Sequence, residues 1–138
     1  MKAKTVWSEN FKSVVDNGRG HSVNLDLPES QNGTDTGSTA LEVCVMSYSG
    51  CIATIFAMMA KKMRLEFTGL EVVSEAEKSA ETGTIGTINS KVSLVSAENG
   101  EKLQKCLDRT VATCPVGVLY KNAGVKVDYS LEVLATAE

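Results

Sequence analysis

The chain has 138 residues, a formal net charge of −3 and a pI near 5.3. That length fits one domain with a real core. With no cluster of Lys or Arg, the charge argues against nucleic acid, whose binding needs a basic footprint.

The N-terminal MKAKTVWSENF lacks the apolar run of a signal peptide, which reads as a cytoplasmic protein. In that compartment four cysteines are thiols or catalytic groups rather than a disulfide framework. Residues 2–16 alternate as an edge strand, with Ala3, Trp7, Phe11 and Val15 on one face. Asp16-Asn17-Gly18 signals a tight turn, Arg19 follows it, and Val23, Leu25 and Leu27 alternate on the way back. An N-terminal β-hairpin over 2–27 is the expectation. The polar stretch 28–38, PESQNGTDTGS, is a loop that is mobile or covers a site.

A long helix over 39–63 follows. Thr39 and Glu42 form a capping box at its start, and Lys61, Lys62 and Arg64 suit its C-terminal dipole. From Val43 to Ala60 no residue is charged, and apolar side chains fall on every side. Such a helix is buried in protein or set in a membrane. Ser47, Tyr48, Ser49, Gly50 and Thr54 dilute the run, and the surrounding strands are those of a soluble fold, so no membrane is expected. At roughly 36 Å the helix is too long for one small chain to cover. A partner subunit is therefore expected to cover the rest.

Residues 70–95 read as a second hairpin, acidic on its exposed side through Glu71, Glu75 and Glu77. Helices over 98–122 come next. Leu103, Cys106, Leu107, Thr110, Val111 and Cys114 share one face of the first, and Pro115 then opens a short helix with Cys114 at its cap. The final strand, 125–133, points Val125, Val127, Tyr129, Leu131 and Val133 inward. The whole is a single α+β domain over 1–138.

Phosphate-binding and dinucleotide motifs are absent, and the cysteine gaps do not match zinc-ligand spacing. Neither a metal nor a cofactor is expected. Cys44 and Cys51 lie seven residues apart on one helix, roughly 10 Å along its axis, beyond the ~7 Å that a disulfide allows between Cα atoms. Cys106 and Cys114 meet the same objection. A redox pair must then join the long helix to the second region, with Cys51 and Cys114 favoured. A reactive cysteine needs positive charge or a helix N-terminus. Arg19 could supply charge to Cys51, whereas Cys114 has the free N–H groups at its cap. The residues alone leave open which attacks first.

The segment T-A-L-E-V-C-V-M-S-Y-S-G-C resembles the OsmC/Ohr family of organic-hydroperoxide peroxidases. So do the second cysteine 63 residues after Cys51 in T-C-P-V, and the arginine behind an early hairpin. The resemblance implies an antiparallel sheet packed on a long buried central helix, in an intertwined homodimer with its sites at the subunit interface. It implies a thiol peroxidase in which Cys51 attacks the peroxide and Cys114 resolves the sulfenic acid. Arg19 would hold the Cys51 thiolate, Glu42 would orient Arg19, and a lipoyl-type dithiol would restore the pair. The family's N-P-E motif places its glutamate ten residues before the cysteine; Glu42 lies nine before Cys51, with no Asn-Pro ahead of it. Capping and arginine-orienting roles both stay open for Glu42. The alternative function is a non-catalytic OsmC-like dimer that binds a small apolar ligand at its interface. His21 reads as a surface residue, Met46, Met58, Met59 and Met63 as core filler, and Cys44 and Cys106 as buried spectators. Tyr48 reads as core packing or as the lining of a substrate pocket.

Overall fold

Asn10 adopts a left-handed backbone with φ of 45°, and that residue turns the first strand back on itself. In the computed structural model, which describes residues 1–135, the expected strand 2–16 is two strands, β1 (Lys4–Glu9) and β2 (Lys12–Asp16). Trp7 pairs with Ser13 and Glu9 with Lys12, with an irregularity between, and the Trp7 indole N–H donates to the Asn10 carbonyl at 2.8 Å. The grouping of Trp7 with Phe11 on one continuous face is therefore corrected. Asparagine tolerates this backbone region where most residues do not.

The chain forms two compact units, Met1–Cys44 and the remainder from Val45 onward. In the first, β2 pairs with β3 (Ser22–Leu25) to complete an antiparallel sheet in the order β1-β2-β3. The 28–38 loop is tied down by Asp26, whose Oδ2 accepts from the Thr34 and Thr36 hydroxyls at 2.7 and 2.9 Å and from both of their backbone N–H groups. Gly33 is required there, because a Cβ at that position would overlap the Leu27 carbonyl. No apolar side chain described in this unit is buried.

The second unit is built on β4 (Thr68–Lys78), β5 (Ile85–Val95) and β6 (Lys126–Leu134), in that order. β4 and β5 are antiparallel, as the resemblance implies for the sheet, whereas β6 runs parallel to β5, which corrects that expectation for the last strand alone. A parallel neighbour needs a long crossover, and α2 (Gly100–Thr113) and α3 (Pro115–Asn122) provide it. Ile88, Ser90, Val92 and Leu94 of β5 are buried, whereas Asn89 and Lys91 are exposed, as period-two alternation requires.

α1 (Ala40–Met63) begins in the first unit and continues into the second. Tyr48, Ile52, Phe56 and Ala60 are its buried residues, one stripe at four-residue spacing. They join Leu103, Cys106 and Leu107 of α2 and the buried face of β5 in one core. Met46 and Met58, away from that stripe, are 54% and 53% exposed. Within a single chain the central helix is therefore covered along one side only. It is long and apolar enough to cross a membrane, with a mean hydropathy of 1.8 over its most apolar stretch, but that stripe serves as the core of a folded unit.

Candidate active site

Two backbone features bring Cys51 and Cys114 together. Cys51 sits in mid-α1, three residues after Tyr48 and one before Ile52, so it flanks the buried stripe and is itself half-buried. Cys114 is at once the last residue of α2's cap and the N-cap of α3, with Pro115 in the first turn. Proline suits that position because its missing N–H would have no helical partner. The Cys114 side chain takes the capping role itself, accepting from the Gly117 N–H at 3.4 Å.

Across the 63 intervening residues, the Cys114 thiol donates to Cys51 Sγ at 2.8 Å. Both are free thiols. Cys114 is fully buried, and burial pushes its thiol up to about 11, with the adjacent Cys51 sulfur adding to the rise. The N–H groups of Gly117 and Val116 act in the opposite direction. Cys51 is the less buried residue of the two.

Tyr48 closes one side of the pair. Its ring meets Tyr120 edge-on, with centroids 5.5 Å apart. A Cβ on Gly117 would stand 3.2 Å from Tyr48 Cε2 and 3.7 Å from Cys114 Sγ. The glycine therefore lets the ring, the helix N-terminus and the sulfur approach. The Tyr48 hydroxyl is enclosed and has no hydrogen-bond partner among the described residues. Burial pushes this phenol up to about 12, and the Cys114 and Cys51 sulfurs add to that. The Ser90 side chain, whose hydroxyl also meets Ser74 Oγ at 2.8 Å, acts in the opposite direction. Beside Tyr48 and Gly117 opens a cavity of about 520 Å³, walled by Val111, Val118, Val125 and Val127 and edged by Lys121.

The other two expected site residues lie in the Met1–Cys44 unit. Arg19 follows the β2–β3 turn, exposed, with its backbone N–H held by Asn17 Oδ1 at 2.8 Å. Glu42 closes the capping box: its Oε2 accepts from the Thr39 N–H at 2.7 Å, and its own N–H donates to Thr39 Oγ1 at 3.2 Å. Among the described residues neither makes an ion pair.

Cys106 is buried, as expected, with its thiol directed at the Phe56 carbonyl at 3.9 Å, and burial raises its pKa. Cys44 is exposed, which corrects its reading as a buried spectator; Met46 and Met58 are likewise exposed rather than core filler in the single chain. The 28–38 loop is anchored, and Asp26 does this work. Its carboxylate is held well below the usual range, first by the Thr34 hydroxyl. No group of three or more His, Cys, Asp or Glu among the described residues could hold a metal ion. Gly117 escaped the sequence reading, although a glycine three residues past a capping cysteine was a visible signal.

A protein-family model described as OsmC-like protein matches residues 33–130. No curated protein matches the sequence. Among solved structures, the chain is similar to an OsmC-like protein of Mycoplasma pneumoniae, with a TM-score of 0.87 and 14% identity over 96% of each chain. It is also similar to an organic hydroperoxide resistance protein OsmC of Legionella pneumophila, with a TM-score of 0.68 and 13% identity over 96% of each chain. OhrB, the organic hydroperoxide resistance protein of Bacillus subtilis, aligns with a TM-score of 0.63 and 16% identity, over 97% of this chain and 98% of its own. At these identities the likeness is one of fold. With the family match spanning well over half its length, the chain belongs to the OsmC-like family.

Proposed function

We propose that this protein is a thiol peroxidase that reduces organic hydroperoxides to alcohols through Cys51 and Cys114. The observation that carries the reading is the contact of the two sulfurs at 2.8 Å between elements far apart in sequence. In the first step the Cys51 thiolate attacks the terminal peroxide oxygen. The O–O bond breaks, the alkoxide leaves and takes a proton as alcohol, and Cys51 becomes a sulfenic acid. In the second step Cys114 attacks Cys51 Sγ, and hydroxide leaves with the thiol proton as water. A disulfide results, and a dithiol of lipoyl type reduces it by exchange.

The accessibility of Cys51 and the burial of Cys114 suit this order of events. Arg19 is assigned to hold the Cys51 thiolate, and Glu42 to orient it, through the family resemblance. The working form is a homodimer, supported by the uncovered faces of α1, and four free thiols suit a reducing cytoplasm. Two structural neighbours are named for organic hydroperoxide resistance.

The test is intact-mass analysis and peptide mapping after brief exposure to about one equivalent of cumene hydroperoxide. The expected result is loss of two hydrogens, mapped to a Cys51–Cys114 bridge and absent in Cys51→Ser. Thiols left unmodified would sink the reading. The valine-walled cavity of about 520 Å³ favours a second reading, a binding module for a small apolar molecule. Fast alkylation of one thiol near neutral pH is expected of the peroxidase and not of that module.

A further inference from the structure

Tyr48 carries a feature that neither packing nor the two-cysteine scheme explains. A phenol O–H enclosed in protein without a partner is costly, and native cores rarely leave one so. Phenylalanine would fill the same space without that cost. The ring is held on two sides, by Tyr120 edge-on at 5.5 Å and by the backbone at Gly117. These two contacts fix the orientation of the ring, and the hydroxyl it carries is enclosed.

The groups that act on this phenol include Ser90, whose hydroxyl meets Ser74 Oγ at 2.8 Å, and the two site sulfurs. Tyr48 precedes Cys51 by three residues on α1, so their side chains are neighbours on one helix face. Tyr48 Cε2 and Cys114 Sγ both lie within 4 Å of the same point above the Gly117 backbone. Neutral thiols are weak hydrogen-bond acceptors. A thiolate is a strong one, because charge-assisted bonds are shorter and about twice as strong. The orphaned donor is thus matched to a state of the site in which a sulfur carries negative charge.

We propose that Tyr48 donates a hydrogen bond to Cys114 as that sulfur becomes the attacking thiolate, and so speeds closure of the Cys51–Cys114 disulfide. The inference rests on the peroxidase reading above. In the step it assists, the S–O bond of the Cys51 sulfenic acid breaks as the S–S bond forms. The Cys114 proton ends on the departing hydroxide, giving water, and Tyr48 keeps its own proton throughout. Loss of the hydrogen bond raises the energy of the thiolate. Each unit of pKa gained lowers the thiolate population tenfold and raises its intrinsic nucleophilicity about threefold, for a net slowing of about threefold.

The experiment compares wild type with Tyr48→Phe in rapid-quench mass spectrometry, with about one equivalent of cumene hydroperoxide across a range of pH and dimedone in the quench to trap sulfenic acid. The expected result is unchanged oxidation of Cys51 but closure slowed about three- to tenfold. Trapped sulfenic acid should accumulate, and the pH midpoint of closure should move upward. Closure at the wild-type rate and pH midpoint would overturn the role of Tyr48 while leaving the peroxidase intact. A lower melting temperature without a midpoint shift would equally overturn it, by showing a packing role alone. A wild type that forms no disulfide overturns both readings.

Discussion

Cys114 and Tyr48 are both buried in their neutral forms, and this sets how the protein responds to alkali. A thiol whose pKa rises on folding holds its proton more tightly in the native state. The stability it contributes is whole below about 9, its ordinary value, and is lost as the pH climbs toward about 11. Tyr48 adds a similar loss between about 10 and about 12. Melting temperatures should therefore fall steeply above pH 9, and the double variant Cys114→Ala/Tyr48→Phe should show a shallower fall; identical slopes would contradict the assignment. Asp26 acts at the other end of the scale with the opposite sign. Its folded pKa is depressed, so its contribution is present above the ordinary value of 3.8 and disappears as the pH falls below it. Asp26→Asn should flatten the acid limb of the stability curve. It should also expose the 28–38 loop to faster hydrogen exchange, because Thr34 and Thr36 lose their common acceptor.

At the level of elements, the capping box allows the two roles of Glu42 to be separated. Glutamine serves at this position as glutamate does, so Glu42→Gln should change stability little, whereas Glu42→Ala should cost about 1 kcal/mol. Peroxidase activity that falls in Glu42→Gln while the melting temperature holds would assign the carboxylate to Arg19; unchanged activity would leave it a cap. Gly117→Ala poses a contest of signs. Alanine favours a helix by about 1 kcal/mol over glycine, but the new methyl would press on Tyr48 Cε2 at 3.2 Å, and Tyr120 braces that ring. Overpacking typically costs about 1–3 kcal/mol, so a lower melting temperature is expected. The helices and most strands were legible because caps, Pro115 and strict alternation mark them. The turn at Asn10 was not, since Trp7, Phe11 and Val15 keep the parity of one strand face across it and no glycine marks it. Nor was the direction of β6, because alternation shows which face a strand buries and not which way it runs.

For the whole molecule, α1 sets a demand on area: a helix apolar on all sides needs more cover than one chain supplies. The buried stripe Tyr48, Ile52, Phe56 and Ala60 supports the premise, and it accounts for only one side of the helix. The same deficit appears in the first unit, where Val6, Trp7, Phe11, Val14 and Val23 are all exposed. A small sheet without a buried face is marginal by itself. The roles of Cys51 and Cys114 are what the family resemblance implies; that a sulfur pair must join α1 to the α2–α3 region was legible because helix geometry excluded the local pairings. The surroundings of Tyr48 and Gly117 were not, because they depend on contacts between elements distant in sequence. If a second copy covers α1, Met58 is at its centre of interest: it lies two residues past Phe56, about 200° around the helix from the buried stripe, and 53% exposed in the single chain. In a monomer, Met58→Lys on that open surface should alter stability by no more than about 0.5 kcal/mol. In a dimer it would place an unpaired charge in an apolar interface, which costs several kcal/mol. Sedimentation should then find the wild type as a dimer and Met58→Lys shifted toward monomer, with its helix content retained. A wild type that sediments as a monomer, or a variant that dimerises as well, would remove this face from the interface.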